Sequence, residues 1–295
     1  MGVVVEVLAR MGDVATRAAL IAATSRAEVD AALANGDVVA VARGRYALLG
    51  ADEALVAAHR LSGVASHFSA ALRHGWQVRF PAEQPHVTVP RNRVVDQQRE
   101  GVVLHRTSLS PDDIDGAVTS RDRTLLDCMR SGALVDGLCV ADSALRDGMS
   151  AQHLWAIARD ARGPGSAQVR RIAKLADGRS ANAFESALRG IAVDVSGLRV
   201  IPQLSLYGRS GFLGRPDLVD ERLGIVAEAE SFEWHGDQAS LYRDARRFNL
   251  LVVNGWLVLR FTWPEVMFHP QQVRAILEAA VAERTERCSR CAGAA

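Results

Sequence analysis

Lysine is almost missing from this chain. Lys174 is the single lysine among 35 basic side chains, and arginine supplies the others. A mechanism that needs a catalytic lysine must therefore use Lys174 or do without one. The preference for arginine, together with abundant alanine and valine, indicates the coding bias of a GC-rich genome. The number of arginines is therefore not by itself a sign of nucleic-acid binding.

Cysteine and long apolar runs are also scarce. Four cysteines in 295 residues do not form a disulfide scaffold. Cys288 and Cys291 make a C-x-x-C pair with no second ligand pair nearby, so we expect a loose tail over 286–295. No apolar run approaches the roughly 18–20 residues that cross a bilayer. Residues 1–10 also lack the basic start of a signal peptide. We expect a cytoplasmic protein without a membrane partner.

The remaining composition is that of an ordinary folded protein, with 48% hydrophobic residues, 23% charged residues and a net charge of +1. The length fits two or three modules. The predicted fold class is α/β, mixed α+β overall. The predicted segments are a helix–helix–hairpin module at 1–50, an α/β linking region at 51–179, a third module at 180–285 and the tail.

The first module has the signals of a winged helix-turn-helix domain. Ser25 and Glu28 match a capping box that starts a helix, and Gly36 can end it. Two apolar runs around the Arg43-Gly44 turn then predict a β-hairpin. Arg43 and Arg45 at the tip of this wing are the best candidates for phosphate contacts. Because the preceding helix carries no cluster of positive charge, both DNA reading and protein interaction remain open for this module.

The third module is predicted to follow the order α-β-β-β-α-β-α. Its helices are expected at 183–191, 238–251 and 270–284, and its strands at 198–206, 213–219, 223–230 and 256–262. Glu228 and Glu230 lie two apart on the third strand and therefore point to the same face. Asp217 follows Arg215-Pro216 on the second strand. An E-x-E pair alone usually marks a solvent-facing strand, but its combination with Asp217 and a helix glutamate, Glu185, favours a metal site.

Several buried carboxylates together are costly unless a cation compensates their charge. Mg²⁺ or Mn²⁺ prefers such oxygen ligands and can polarise a phosphodiester. In this order the region 180–285 resembles the PD-(D/E)xK nuclease superfamily, in the branch similar to very-short-patch-repair (Vsr) endonucleases, which occurs in actinobacterial proteins as a domain of unknown function. The motifs that carry the resemblance are Phe184-Glu185-Ser186, Arg215-Pro216-Asp217-Leu218, Glu228-Ala229-Glu230, Trp234-His235, Arg243-Asp244-x-x-Arg247-Phe248-Asn249 and Asn254-Gly255-Trp256.

The resemblance implies that Asp217 and Glu228 ligate the metal, with Glu185 as a further ligand or a residue that positions water. Glu230 takes the place of the superfamily's lysine, and His235 is a candidate general base. Relatives commonly have an aspartate where this chain has Glu230, and the longer side chain puts activity in doubt.

Two arginines follow these carboxylates on the next predicted helix. Arg243 and Arg247 are four residues apart and share a face. They fit either contacts with a phosphate backbone or ordinary surface ion pairs, and the sequence leaves both interpretations open.

The front of the chain resembles AbiEi-family antitoxins of type IV toxin–antitoxin systems. The residues that carry this resemblance are Thr16-Arg17, Glu28-Val29, Asn35-Gly36, Arg43-Gly44-Arg45-Tyr46, Ser66-His67-Phe68-Ser69, His86-Val87-Thr88-Val89-Pro90, His105-Arg106 and Arg123-Thr124-Leu125-Leu126-Asp127. The resemblance implies binding to DNA or to a cognate toxin or other protein partner. It leaves the oligomeric state open.

The histidines of the linking region suggest a metal site less strongly. His67, His74, His86 and His105 come from separate predicted elements, and their spacing fits no compact ligand set. We therefore expect partly buried, hydrogen-bonded histidines.

Taken together, these patterns predict a DNA-associated protein with a metal-dependent endonuclease domain, linked to toxin–antitoxin function or to DNA defence or repair. The alternatives are a non-catalytic, antitoxin-like transcriptional regulator with an inactive nuclease fold and a pure protein-interaction module. The deciding feature is whether Glu185 converges on the pair of Asp217 and Glu228.

Overall fold

The structure, a computed structural model, describes residues 2–95, 100–209, 211–230 and 238–292. The protein is mixed α/β and divides into two compact units, Met1–Ser131 and Gly132–Ala295. Residues 132–179 of the predicted linking region thus belong to the same unit as the predicted third module. Within the described residues, each helix is too short or too polar to cross a membrane.

The first unit begins with three helices and a small sheet. Its elements are α1 (Val3–Arg10), β1 (Val14–Thr16), α2 (Arg17–Ala23), α3 (Arg26–Ala34), β2 (Val38–Ala42) and β3 (Arg45–Leu48). The strands form a sheet in the order β1-β3-β2. Ser25 caps α3 as predicted, because its hydroxyl accepts from the backbone N–H of Glu28 at 3.2 Å. The helix α2 starts at Arg17, since the three preceding residues pair with β3.

The rest of the first unit is built on a five-stranded sheet. Its elements are α4 (Glu53–Leu61), β4 (Val64–Ala65), α5 (His67–Arg73), β5 (His86–Val89), β6 (Val103–Arg106), β7 (Ile114–Asp115), β8 (Val118–Thr119) and α6 (Arg121–Arg130). The strand order is β6-β5-β4-β8-β7. β5 and β6 pair in parallel at one edge of this sheet. β4, β7 and β8 were not predicted, because two-residue strands are too short to show a period.

The second unit contains a helical part followed by a second sheet. Its elements are α7 (Leu134–Arg146), α8 (Ala151–Asp160), α9 (Ser166–Leu175), α10 (Ala183–Ala192), β9 (Ile201–Pro202), β10 (Leu206–Gly208), β11 (Gly211–Gly214), β12 (Leu218–Asp220), β13 (Ile225–Glu230), α11 (Gln238–Val253), β14 (Leu257–Thr262), α12 (Trp263–Phe268) and α13 (Pro270–Ala292).

A buried ion pair connects the helical part to the sheet-bearing part. The Arg189 guanidinium on α10 donates to both carboxylate oxygens of Asp142 on α7, and both side chains are almost fully buried. The core around α10 also includes Cys139 of α7 together with residues of the sheet and of α13. This shared core explains why α7 packs with residues predicted to belong to another module.

The sheet that carries the candidate site has the strand order β14-β13-β12-β9. β9, β12 and β13 are antiparallel neighbours, whereas β13 and β14 are parallel. A parallel pair needs a crossover connection, and α11 lies in that connection. Leu188 of α10 packs into the same core as Leu218 and Phe261 of the sheet. The sheet is thus buried on the side where α10 lies.

The strand and helix bounds of the predicted third module differ most from the predicted ones at two strands and at the final helix. The run predicted over 198–206 divides into β9 and the start of β10, and the run over 213–219 divides into β11 and β12. β10 and β11 form a separate hairpin, and Gly211 at the start of β11 has a positive φ of 106° that suits glycine. The final helix continues to Ala292, so the prediction of a loose tail from residue 286 is wrong.

Candidate active site

Glu185 is held in a buried position at the start of α10. Asn182 caps this helix by accepting from the backbone N–H of Glu185 at 2.9 Å. The Glu185 carboxylate accepts in return from the Ala181 N–H at 2.7 Å and from the Asn182 amide at 3.2 Å. The side chain is only 7% exposed. The cap thus fixes a carboxylate that the helix would otherwise leave free to rotate.

Asp217 immediately precedes β12 and lies beside Glu228 of the neighbouring strand β13. Leu218 of β12 pairs with Ala227 of β13 in the antiparallel ladder, so the residues just outside this pair are also neighbours. Asp217 Oδ2 accepts from the backbone N–H of Ala229 at 2.8 Å. Glu228 is 5% exposed. The register therefore places two carboxylates next to each other in a mostly buried position.

Gln203 connects Glu185 to this pair. Its side-chain amide nitrogen Nε2 donates to Glu185 Oε2 and to Asp217 Oδ1, at 3.0 Å in each case. Its backbone N–H donates to the carbonyl of Asp217 at 3.0 Å. Gln203 has a φ of 54°, a left-handed conformation that non-glycine residues seldom adopt. The structure thus brings Glu185 to the same place as Asp217 and Glu228.

The pKa values of the carboxyls reflect this crowding. Burial raises the pKa of Glu228 to about 7, and the neighbouring charge of Asp217 adds to the rise. Burial likewise raises the pKa of Asp217 and of Glu185, and the charge of Asp217 raises the pKa of Glu185 further. Three acids with raised pKa values at one place show that their ionised forms lack full compensation. A bound divalent cation would supply that compensation.

Arg247 is the cation that lies within the site. Its guanidinium Nη1 donates to Glu228 Oε1 at 2.8 Å, and its side chain is 29% exposed. Its positive charge lowers the pKa of both Glu228 and Asp217, although burial raises both values more. The sequence left open whether Arg247 contacts a phosphate backbone or forms an ion pair, and in the structure it forms an ion pair with Glu228. Lys174, the one lysine, lies on α9.

The comparisons with known proteins give relatives but no activity. No family model matches the chain. The chain is a distant homologue of two mycobacterial proteins. These are uncharacterized protein MT2308 of Mycobacterium tuberculosis strain CDC 1551 / Oshkosh and uncharacterized protein Rv2248 of strain ATCC 25618 / H37Rv. Each is 29% identical over 265 residues, covering 85% of this chain and 95% of the relative.

One solved structure is also similar to this chain. The crystal structure of the RV2827C protein from Mycobacterium tuberculosis covers 70% of this chain and 87% of its own, with 15% identity and a TM-score of 0.35. A TM-score of this size is too low to assign a shared fold.

Two other predicted site residues of the third module, Glu230 and Arg243, do not join the group of Glu185, Asp217 and Glu228. Glu230 forms an ion pair with Arg260, and Arg260 Nε lies 2.7 Å from Glu230 Oε2. Glu230 is close enough to raise the pKa of Glu228, but its carboxylate is bound on the exposed side. Arg243 is exposed on α11. His235 lies outside the described residues.

The two arginines predicted at the wing tip differ from each other. Arg43 is exposed at the turn between β2 and β3. Arg45 lies on β3, half-buried, with its guanidinium 3.3 Å from His59 Nδ1. Arg43 therefore keeps the exposure that a phosphate contact needs, whereas Arg45 is partly occupied by a contact inside the protein.

The largest difference from the sequence-based expectation concerns the histidines. Among the described residues, the one group of three or more His, Cys, Asp or Glu side chains with ligand atoms all within 4.8 Å is His67, His86 and His105. The prediction that their spacing fits no compact ligand set is wrong. The prediction of partly buried, hydrogen-bonded histidines is confirmed. His74 lies apart from the group and contacts the carbonyl of Thr119 at 2.8 Å.

Proposed function

We propose that the second unit hydrolyses phosphodiester bonds in DNA with the help of Mg²⁺ or Mn²⁺. The observation that carries this proposal is the convergence of Glu185, Asp217 and Glu228, with Gln203 joining the first two. Glu185 and Glu228 are buried and Asp217 is half-buried, and all three offer the oxygen ligands that these ions prefer and have raised pKa values. These residues fit a hard divalent cation held by Asp217 and Glu228, with Glu185 as a further ligand.

The strand arrangement supports a restriction-endonuclease-like core. A helix precedes three antiparallel strands, and a crossover helix leads to a fourth strand parallel to the third. This arrangement matches the α-β-β-β-α-β order of the PD-(D/E)xK enzymes that the sequence resembles. The β10–β11 hairpin and the helices α12 and α13 are additions to that core. The Vsr-like nature of the domain remains part of the proposal.

The chain's own residues supply binding and positioning. A bound Mg²⁺ would neutralise phosphate charge and lower the pKa of an attacking water. Gln203 and the Ala229 N–H orient the carboxylates, while Arg247 places positive charge beside Glu228 where a phosphate oxygen would approach.

For the first unit we propose a winged helix that contacts DNA. The order of three helices, a short first strand and the β2–β3 hairpin in the sheet β1-β3-β2 supports this assignment. The exposed Arg43 at the hairpin turn is the residue best placed to contact a phosphate. An antitoxin-like role, with a toxin or another protein as partner, belongs to the same proposal.

The nuclease proposal is tested by cleavage of plasmid and single-stranded DNA with Mg²⁺ or Mn²⁺. Asp217→Asn and Glu228→Gln keep the side-chain shape and remove one negative charge each. We expect each to lower the nicking rate about a hundredfold or more, since even outer partners of a metal site typically contribute 10–100-fold. Glu221→Gln is the matched control, because Glu221 is an exposed acid in the turn between β12 and β13. Equal rates in all four proteins would reject the proposal.

A non-catalytic regulator is the second candidate, and one observation favours it. Arg247 and Gln203 already donate hydrogen bonds to the carboxylates, so an internal cation compensates part of their charge. In that case the chain would bind DNA through the first unit without cutting it. Calorimetry with Mn²⁺ separates the candidates, since a regulator would show no heat of binding that depends on Asp217. Loss of DNA binding in Arg43→Ala, without any cleavage, would support the regulator.

A further inference from the structure

A second cluster of potential ligands lies in the first unit. His67 begins α5, His86 begins β5 and His105 lies on β6. β5 and β6 pair in parallel, with His86 opposite Val103 and Thr88 opposite His105. Side chains two apart on a strand share a face. The strand register alone therefore places His86 and His105 on one face of the sheet.

The distances within this cluster suit a shared ion. One ring nitrogen from each of the three histidines lies within 4.8 Å of the other two. His105 Nε2 is 3.0 Å from His86 Nδ1. Tetrahedral zinc with bonds of about 2.0–2.1 Å holds its ligand nitrogens roughly 3.3 Å apart. The rings of His67 and His105 are stacked with centroids 3.5 Å apart, so binding needs a modest opening of that stack.

Hydroxyl groups contact the His67 ring at its Nδ1 atom. His67 Nδ1 lies 2.9 Å from Ser66 Oγ, and Thr88 Oγ1 donates to the same Ser66 oxygen at 2.8 Å. Metal-binding histidines commonly have such a partner on their second nitrogen, which fixes the ring orientation. His67 also has a φ of 52°, which is unusual for a buried residue other than glycine. The backbone and the hydroxyls together define the position of this ring.

The charge state of the cluster suits a cation. Burial lowers the pKa of His67 to about 2 and that of His105 to about 4, and it also lowers the pKa of His86. The rings are therefore neutral near pH 7 and keep a lone pair for a metal. The charge of Arg123 also acts on His67, and the Arg123 guanidinium donates to Asp127 at 2.8 Å. Because this ion pair is neutral overall, it opposes a cation less than a lone arginine would.

We propose that His67, His86 and His105 form a binding site for a divalent transition metal, with zinc as the expected ion. Imidazole suits Zn²⁺ and related first-row ions, whereas carboxylates and water suit Mg²⁺ and Mn²⁺. Three histidines leave the fourth position of a tetrahedral ion for water or another ligand. His86 and His105 are half-buried, so that position can reach solvent. This site does not depend on the carboxylates of the second unit.

The test uses the full chain, stripped of metal, with Cys288→Ser and Cys291→Ser so that the terminal pair cannot bind zinc. Co²⁺ is the spectroscopic probe, and Zn²⁺ competes with it. We expect one equivalent of Co²⁺ to give the strong visible absorption of a tetrahedral ion, whereas an ion held by carboxylates and water absorbs weakly. His105→Gln should weaken binding about tenfold or more. His74→Gln is the matched control, because His74 is also half-buried and bonded to a carbonyl, and it should bind like the parent.

A second variant, which should gain a spectroscopic signal, tests the site even if His105→Gln folds poorly. His105→Cys keeps a ligand at the same place and should give a thiolate-to-cobalt charge-transfer band in the near ultraviolet. Asp217→Asn should leave the cobalt spectrum unchanged, which separates this site from the nuclease proposal. Binding that is no tighter in the parent than in His105→Gln would overturn the proposal. So would a His105→Cys protein that folds and binds Co²⁺ without the new band.

Discussion

The histidine cluster and the carboxylate cluster each contain groups that would repel one another if all were charged. The two clusters differ in the partners that surround these groups. Around the histidines, the partners are the hydroxyls of Ser66 and Thr88 and the rings themselves. Around the carboxylates, the partners are N–H donors from Gln203, Ala229 and Arg247. Neutral imidazoles need no compensating charge, whereas carboxylates that ionise need donors or a cation.

The difference gives the two units opposite responses to pH. Burial lowers the pKa of the histidines, so the folded first unit resists taking up protons. Burial raises the pKa of the carboxyls, so the folded second unit takes up protons more readily than the unfolded chain. Burial thus favours the neutral form in both clusters, which shifts the pKa of the bases down and the pKa of the acids up.

The largest effect we expect is acid destabilisation of the first unit. His67 and His105 have folded pKa values of about 2 and about 4, below the unfolded value of 6.5. A lowered pKa contributes stability that is present above pH 6.5 and is lost as the pH falls toward 4. The loss should be on the order of a few kcal/mol.

Hydrogen exchange followed by mass spectrometry measures this effect, with rates corrected for the intrinsic pH dependence of exchange. Peptides over Val103–Arg106 should lose protection between pH 7 and pH 5, whereas peptides over Ile225–Glu230 should gain it. The gain follows because the pKa of Glu228 is about 7 in the fold and 4.5 in the unfolded chain. Its stabilising effect is present below pH 4.5 and is lost as the pH rises through 7. The same change in protection with pH in both units would contradict the predicted difference between the two clusters.

The sequence predicts the carboxylate site better than the histidine site, and the reason is locality. Asp217 and Glu228 lie on strands with clear apolar patterns, and neighbouring antiparallel strands bring them together. The histidines depend on the parallel pairing of β5 with β6 and on the start of α5. Pairing between strands separated along the chain leaves no periodic signal.

Gln203 and Arg247 show the same limit within the better-predicted site. A lone glutamine after a two-residue strand carries no signal for a left-handed backbone or for a bond to two carboxylates. The spacing of Arg243 and Arg247 correctly suggests a shared helix face, but it cannot tell whether that face meets solvent or the sheet. Helix periodicity gives the relative directions of side chains, and tertiary packing decides what they contact.

The next largest effect we expect is a loss of stability in Gln203→Leu. The substitution removes the amide that donates to Glu185 and Asp217 and keeps a side chain in a left-handed conformation. Loss of donors to buried carboxylates typically costs about 1–3 kcal/mol. Urea unfolding in EDTA should show a greater loss at pH 8, where the acids are charged, than at pH 5. Gln203→Gly separates the causes, because it removes the amide and also relieves the backbone. The difference in stability between the Gly and Leu variants then measures the backbone contribution, and a Leu variant as stable as the parent at pH 8 would contradict the role of the amide.

The smallest effect distinguishes Glu228 from Glu230, two glutamates on the same face of β13. Glu228→Gln removes a buried charge with a raised pKa and should raise stability at pH 8 by about 1 kcal/mol in EDTA. Glu230→Gln removes a partner from an exposed ion pair and should change stability by less than about 0.5 kcal/mol.

Thermal unfolding measures both substitutions, and added Mg²⁺ should stabilise the parent and Glu230→Gln but not Glu228→Gln. A Glu228→Gln protein that is less stable than Glu230→Gln at pH 8 would mean that the Arg247–Glu228 pair serves the fold. In that case Arg247 would be the permanent cation of the site, and the acids would be arranged for stability. The non-catalytic regulator would then become the better account of the second unit.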